Sequence, residues 1–555
     1  MSWFDRFLRH DELRAALTEL AAAHPDLVEV SSIGDSHEGR PIWLATVTDR
    51  RTGSAADKPA IWVDGNIHAT ELAASTAALY LVERLCRGRD EPRVARALAG
   101  RTFYVVPRVN PDGAELALAD RPRFLRSSTR PWPWRDGWRQ PGLHPCDVDG
   151  DGRVLTMRLP DPNGSWKAHP DEPTLLVPRS PLDGPDDGPY WRCLAEGEIE
   201  SFDGDLVGRP QPPEGLDLNR NFPAGWATTV HGSGDHPGSE PEVSAVVRAV
   251  VERPNVCGYV ALHTFGGVHL RPSSVHPDSD LPATDRWLFG ELGALATART
   301  GYPVHSVYED FTWDRSTPMA GAADDWAYEH LGVPAWTTEL WDVVHQVTGA
   351  RSSPQSWTLG PTVEQELAVL RWARDRDRGE FVEWYPFDHP QLGRVELGGW
   401  DELRVWSNPP SDLLEAEVAP HADVAIDWAL SAPCLAVRSI RSTPRGDGWW
   451  TVCVVVENTG WLDTAVTARG AGLGRVLPVA VELAGPVVIE GPARRTLGQL
   501  AGRTGFRLAA GARDDGTPDR AVAEWLVQGR AGDEVTATAR HPRAGVIRAT
   551  VRLES

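Results

Sequence analysis

The chain has 555 residues, too many for one ordinary hydrophobic core, so more than one domain is expected. Hydrophobic residues make up 41% and charged residues 24%, a balance that excludes a largely disordered chain. Acidic residues outnumber basic ones 78 to 56, and the net charge of -22 repels phosphate backbones, which argues against nucleic acid as a partner.

In chain order, the opening MSWFDRFLRHDELRAALTEL sets Leu13, Ala16, Leu17, Leu20 and Ala21 at helical spacing, with no apolar run ahead of a small-residue cleavage site. This predicts a helix rather than a signal peptide. No later stretch approaches the ~18 to 20 apolar residues of a membrane span. The expectation is therefore a soluble, cytoplasmic protein with no membrane partner. Cys86, Cys146, Cys193, Cys257, Cys434 and Cys453 lack CxxC spacing and are expected as free thiols.

Up to about residue 385, short β-prone runs (IWVD, TFYVV, GYVAL, AWTTEL) alternate with helical patterns such as TELAASTAALYLVERL. Alternation of this kind predicts an α/β domain over 1–385, with a mixed, mostly parallel sheet flanked by helices. Residues 127–215 interrupt it with Pro, Gly, Asp and Trp. They are expected to form an ordered, irregular insertion that walls a substrate cleft. Residues 386–429 are proline-rich and are expected as a linker. Beyond them, runs such as CLAVRSI, WWTVCVVVEN and GVIRATVRLE predict an all-β sandwich over 430–555.

Two HxxE patterns are present, His68 with Glu71 and His169 with Glu172, the second in a proline-rich loop. Alone the pattern is weak, and context separates them. His68 follows the strand IWVD and Glu71 begins the next helix, while His263 ends GYVAL and Glu339 ends AWTTEL. Open α/β sheets bind ligands where strands end in this way. Two histidines and one carboxylate leave a fourth position on zinc open for water, the catalytic pattern, and Glu339 is the candidate to take that water's proton.

Six motifs in order then resemble the M14 zinc carboxypeptidase family over roughly the first 380 residues: GNIHATE, NPDG with FLRSSTR, DLNRNFP, LHTF, DDWAYEHLG and TTEL. The resemblance implies one zinc per chain on His68, Glu71 and His263, with Glu339 as general base and acid. It implies Arg126 as the oxyanion-binding arginine, Asn219 and Arg220 as the pair that holds a terminal carboxylate, and Asp217 as the acid that orients the first histidine. The implied partner is a peptide with a free C-terminus. Asp324 stands at the base of the family's side-chain pocket, which implies a preference for Lys or Arg. It is also placed to cap the following helix. The family's mobile tyrosine is replaced by Thr317, and Thr70 stands where some members have a substrate-binding arginine. Within the insertion, Asp147, Asp149 and Asp151 have the spacing of a calcium loop but lack its later ligands, so a Ca²⁺ site and a plain Asp/Gly turn both stand as expectations. Two other functions fit the same motifs: a zinc amidohydrolase acting on cell-wall or acyl-amino-acid substrates, and a non-catalytic binding protein on the same scaffold.

Overall fold

Strands with both faces buried read as continuous apolar runs. Ala60–Gly65 is buried at every position, and Val256–Thr264 at all but Gly258. These two strands lie at the centre of the sheet. The structure is a computed structural model and describes residues 3–134, 138–312, 314–316, 318–504 and 516–554. Eight strands form the central sheet: β1 (Val28–Asp35), β2 (Pro41–Val47), β3 (Ala60–Gly65), β4 (Thr102–Val106), β5 (Val256–Thr264), β6 (Val268–Arg271), β7 (Val304–Ser306) and β8 (Ala335–Leu340). Their order is β1-β2-β4-β3-β5-β8-β6-β7. The middle four, β4, β3, β5 and β8, run parallel, so their C-terminal ends open on one edge. Together with the flanking helices this is the mixed, mostly parallel α/β sheet that the alternation predicts.

Residues 386–429 are not a linker. Phe381–His389 and Gly393–Trp400 pair with each other, and the second also pairs with Thr156–Pro160 of the insertion, setting Leu397 opposite Met157. The result is a six-stranded sheet that also takes in Tyr190–Ala195, Trp166–Ala168 and Leu176–Pro178. Arg158 lies between the Trp191 and Trp384 rings, 4.8 and 4.3 Å from their centroids, which explains part of the insertion's tryptophan content. Next, the helix Ser411–Ser431 packs across the helices Leu72–Arg87 and Ala283–Thr300 and onto β3 and β5. Its Trp428 stacks on Trp336 of β8 at 5.1 Å and 11° and donates from its indole to the Leu292 carbonyl.

The C-terminal region forms two four-stranded antiparallel sheets. Trp449–Asn458 alternates partly buried and buried residues along its whole length, as a strand with one face inward must. Val452, Val454, Val456, Trp525, Val535 and Ala537 belong to the core of this sandwich. All six cysteines are free. Among the described residues no helix is long and apolar enough to cross a membrane.

Trp428 is 6% exposed and seals the central sheet. Trp428→Ala should lower stability by roughly 3–5 kcal/mol, while Trp428→Phe keeps most of it. Denaturant unfolding followed by far-UV circular dichroism checks this, and a near-neutral alanine variant would show that the helix does not hold the core.

Candidate metal centre and active site

The loop after β3 is held by backbone conformation and buried hydrogen bonds. Asn66 takes a left-handed conformation (φ 57°), which Asn tolerates better than most residues. Its amide donates to the carbonyls of His68 and Ala69, and its oxygen accepts from Arg108 Nε. Ser127 Oγ and Asn110 Nδ2 both donate to the Ile67 carbonyl. These contacts fix His68. Glu71 stands immediately before the helix Leu72–Arg87, at its N-cap rather than inside its first turn.

His263 lies next to Glu339 in the parallel β5–β8 register, and Glu71 reaches across to both histidines. His68 Nδ1 is 2.7 Å from Glu71 Oε1, His263 Nδ1 is 2.9 Å from Glu71 Oε2, and the two Nδ1 atoms are 3.1 Å apart. Burial opposes a charge on Glu71, yet the two histidines hold its carboxyl well below the ordinary range. Two ring nitrogens facing each other beside a carboxylate form a donor set that suits a divalent cation, and the three ligand atoms lie within 4.8 Å of one another. The donor set therefore fits zinc.

Behind the histidine, Asp217 Oδ1 lies 3.2 Å from His68 Nε2, and Arg126 Nε donates to Asp217 Oδ2 at 3.1 Å. Burial works against ionisation of Asp217, but Arg126, Arg220 and His68 keep it well below the usual carboxylate range. This carboxylate can orient the ring and raise its basicity. Asn219 accepts from Ala323 N–H through its side-chain oxygen, and Arg220 NH1 donates to the Asn219 carbonyl.

Arg126, Asn219 and Arg220 line one cavity of about 210 Å³ with His68, Glu71 and His263. Glu339 and Asp324 line it too. Burial raises the Glu339 carboxyl to about 8; Glu71 and Asp324 add to this, against His263 and Arg126. Two residues later the chain turns through Trp341 (φ 69°), whose N–H donates to Tyr302 Oη and Glu417 Oε1 and whose indole donates to the Val405 carbonyl. Asp324 is 2% exposed, and its Oδ2 has no hydrogen-bond partner among the described residues. Desolvation raises its carboxyl above the ordinary value, and raises the adjacent Asp325 further because Asp324 lies beside it.

Two expectations change, and one wall of the cavity was not foreseen. Among the described residues none of 127–215 lines the cavity, because the insertion packs against 381–400 instead. The apolar wall comes from Leu270, Val307, Phe311, Met319 and Trp357, which sequence reasoning missed; they lie on separate segments with no shared motif. Asp151 does not join Asp147 and Asp149, whose third neighbour is Glu196. Asp147 accepts from Gly150 and Gly152, Asp149 from Asp151 and Tyr385, and Glu196 from Val148 and Leu155, and the three carboxylates also bring oxygens within 4.8 Å of one another. His169 and Glu172 close a turn, with Glu172 paired to Arg374. Thr317 lies outside the described residues.

The family model for zinc carboxypeptidases matches residues 13–181 and 191–358. The chain belongs to the zinc carboxypeptidase family, and it is a hydrolase of the metallocarboxypeptidase class. Residues 434–552 match a second family, described only as a domain of unknown function. Carboxypeptidase B of Astacus astacus is 28% identical over 341 residues, covering 60% of this chain and 86% of that one. Mouse carboxypeptidase A4 is 24% identical, over 59% of this chain and 60% of its own. Human carboxypeptidase D is 35% identical over 136 residues, 20% of this chain and 10% of its own. Among solved structures, carboxypeptidase A from Helicoverpa armigera aligns at 20% identity and TM-score 0.39, over 68% of this chain and 75% of that one.

Asn66→Ala strains a left-handed position and strands buried partners, so it should cost about 2–4 kcal/mol. Asn66→Gly relieves the strain but not the lost hydrogen bonds and should fall between. Thermal unfolding of both variants tests this; equal losses would mean that backbone strain contributes nothing.

Proposed function

We propose that the chain removes the C-terminal residue of a peptide, with one zinc ion on His68, Glu71 and His263 and with Glu339 as general base and then acid. The supporting observation is the shared cavity: a His-Glu-His donor set, a buried carboxylate and a pair of arginines face one space. Zinc held there supplies Lewis acidity, activating water and polarising the scissile carbonyl. Glu339 accepts the water's proton and returns it to the leaving amine. Arg126 neutralises charge developing on the carbonyl oxygen. Asn219 and Arg220 hold the terminal carboxylate, Arg by its planar fork, and so select chain ends.

Asp324 gives the side-chain preference. A buried carboxylate oxygen without a partner is costly, and a cationic substrate side chain offsets that cost. The apolar wall of Leu270, Val307 and Met319 suits the methylene stem of Lys or Arg.

Glu339→Gln should retain zinc, measured by metal analysis, and lower kcat by about 10² to 10⁴; near-normal turnover removes Glu339 from this role. Peptides ending in Arg or Lys should exceed those ending in Phe or Leu in kcat/KM by more than about tenfold. Asp324→Ala should abolish that preference. A panel that adds acyl-amino acids separates peptide hydrolysis from amide hydrolysis on other substrates.

A further inference from the structure

The helix that carries Asp324 has one end in the cavity and the other in the C-terminal sandwich. It runs Ala323–Trp326 and continues as a wider turn, Ala327–Leu331. At the cavity end, Ala323 N–H donates to Asn219 Oδ1, and the Asp325 carboxylate accepts from Ser274 N–H at 3.0 and 3.1 Å. At the far end the last carbonyls of a helix have no partner within it. Here the sandwich supplies donors: the Arg543 guanidinium reaches the Leu331 and Gly332 carbonyls and its own neighbour Ala465, and Thr467 Oγ1 donates to Gly332 at 2.8 Å.

Further contacts tie the same end, among them Arg469, whose guanidinium donates to the Glu329 carbonyl and pairs with its carboxylate. Asp285 accepts from the N–H groups of Ala468 and Arg469 at 2.7 and 2.9 Å, and also from Tyr328 Oη at 2.9 Å. One buried carboxylate thus joins the helix to the sandwich. Gly332, left-handed at φ 64°, meets Gly470 so closely that a Cβ on Gly332 would stand 2.2 Å from Gly470 Cα. Only glycine allows backbones to approach in this way.

Arg543 is 9% exposed, and its guanidinium hydrogen bonds among the described residues all go to main-chain carbonyls; the nearby Arg469 instead pairs with Glu329 of the helix. A buried cation held by main-chain oxygens is expensive compared with an apolar side chain. Its guanidinium nevertheless sits at the negative end of the helix and fixes where that end lies.

We propose that the C-terminal sandwich is an intramolecular brace for the substrate pocket, with Arg543, Asp285 and Thr467 as positioning residues that set the helix bearing Asp324 against Asn219. This rests on the cavity being the substrate pocket. None of the three residues lines that cavity, so their effect travels along the helix.

The test uses the full chain with Arg543→Met, Arg543→Lys and the milder Asp285→Asn and Thr467→Val. Three readouts are taken well below the melting temperature: hydrogen–deuterium exchange of the 322–332 peptide, zinc content, and kcat and KM on peptides ending in Arg and in Leu. Arg543→Met should speed exchange across 322–332 through the Asp324 end and raise KM about tenfold, with zinc and kcat within about twofold. Arg543→Lys should recover most of the loss. If Arg543→Met does not fold, Asp285→Asn and Thr467→Val carry the same comparison. A lower melting temperature with unchanged 322–332 exchange and unchanged KM would overturn the brace. If the native enzyme fails to prefer Arg over Leu, the Asp324 pocket assignment falls, while the exchange data still judge the brace separately.

Discussion

Two imidazole nitrogens 3.1 Å apart, both within hydrogen-bond distance of one buried carboxylate, make an arrangement that a divalent cation stabilises. Much of the molecule serves to bring those three groups together. Parallel β3, β4, β5 and β8 end on one edge, the left-handed Asn66 turn aims His68 inward, and the β5–β8 register sets His263 beside Glu339. Asp217 and the half-exposed Arg126 continue the charge alternation from the buried His68 toward solvent.

The cavity is electrically divided. Arg126 and Arg220 lie on its lining together with the buried Asp324, whose neighbour Asp325 is bonded to Ser274. In the proposed function, a substrate end that carries a carboxylate and a cationic side chain matches both poles at once. The divided charge also explains why Glu339 sits high: the wall around it withholds solvent, and Glu71 and Asp324 repel its negative form.

The clustering of the candidate residues was legible because they sit at strand ends within short local motifs. His68, Glu71, His263 and Glu339 are each marked by a neighbouring β-prone run, and the sandwich is marked by β-prone runs such as WWTVCVVVEN, whose burial alternates once folded. What escaped was non-local. Gly393–Trp400 finds its partner Thr156–Pro160 more than two hundred residues earlier, and no window of sequence holds both. Ser411–Ser431 contains Pro420, which disguises a long helix. Glu196 joins Asp147 and Asp149 only through the folded insertion, so the acidic loop read alone does not show it. Trp357 and Phe311 reach the cavity wall from separate segments.

The helix Ser411–Ser431 has a further consequence. The zinc carboxypeptidase match ends at residue 358, but the helix that covers β3, β5 and Trp336 starts more than fifty residues later. The stretch that the family model matches therefore leaves out a helix on which the core depends. In a chain made from its N-terminus, that face of the central sheet has no cover from this helix until Ser431 has emerged, by which point the stretch holding His68, Glu71 and His263 is already long past.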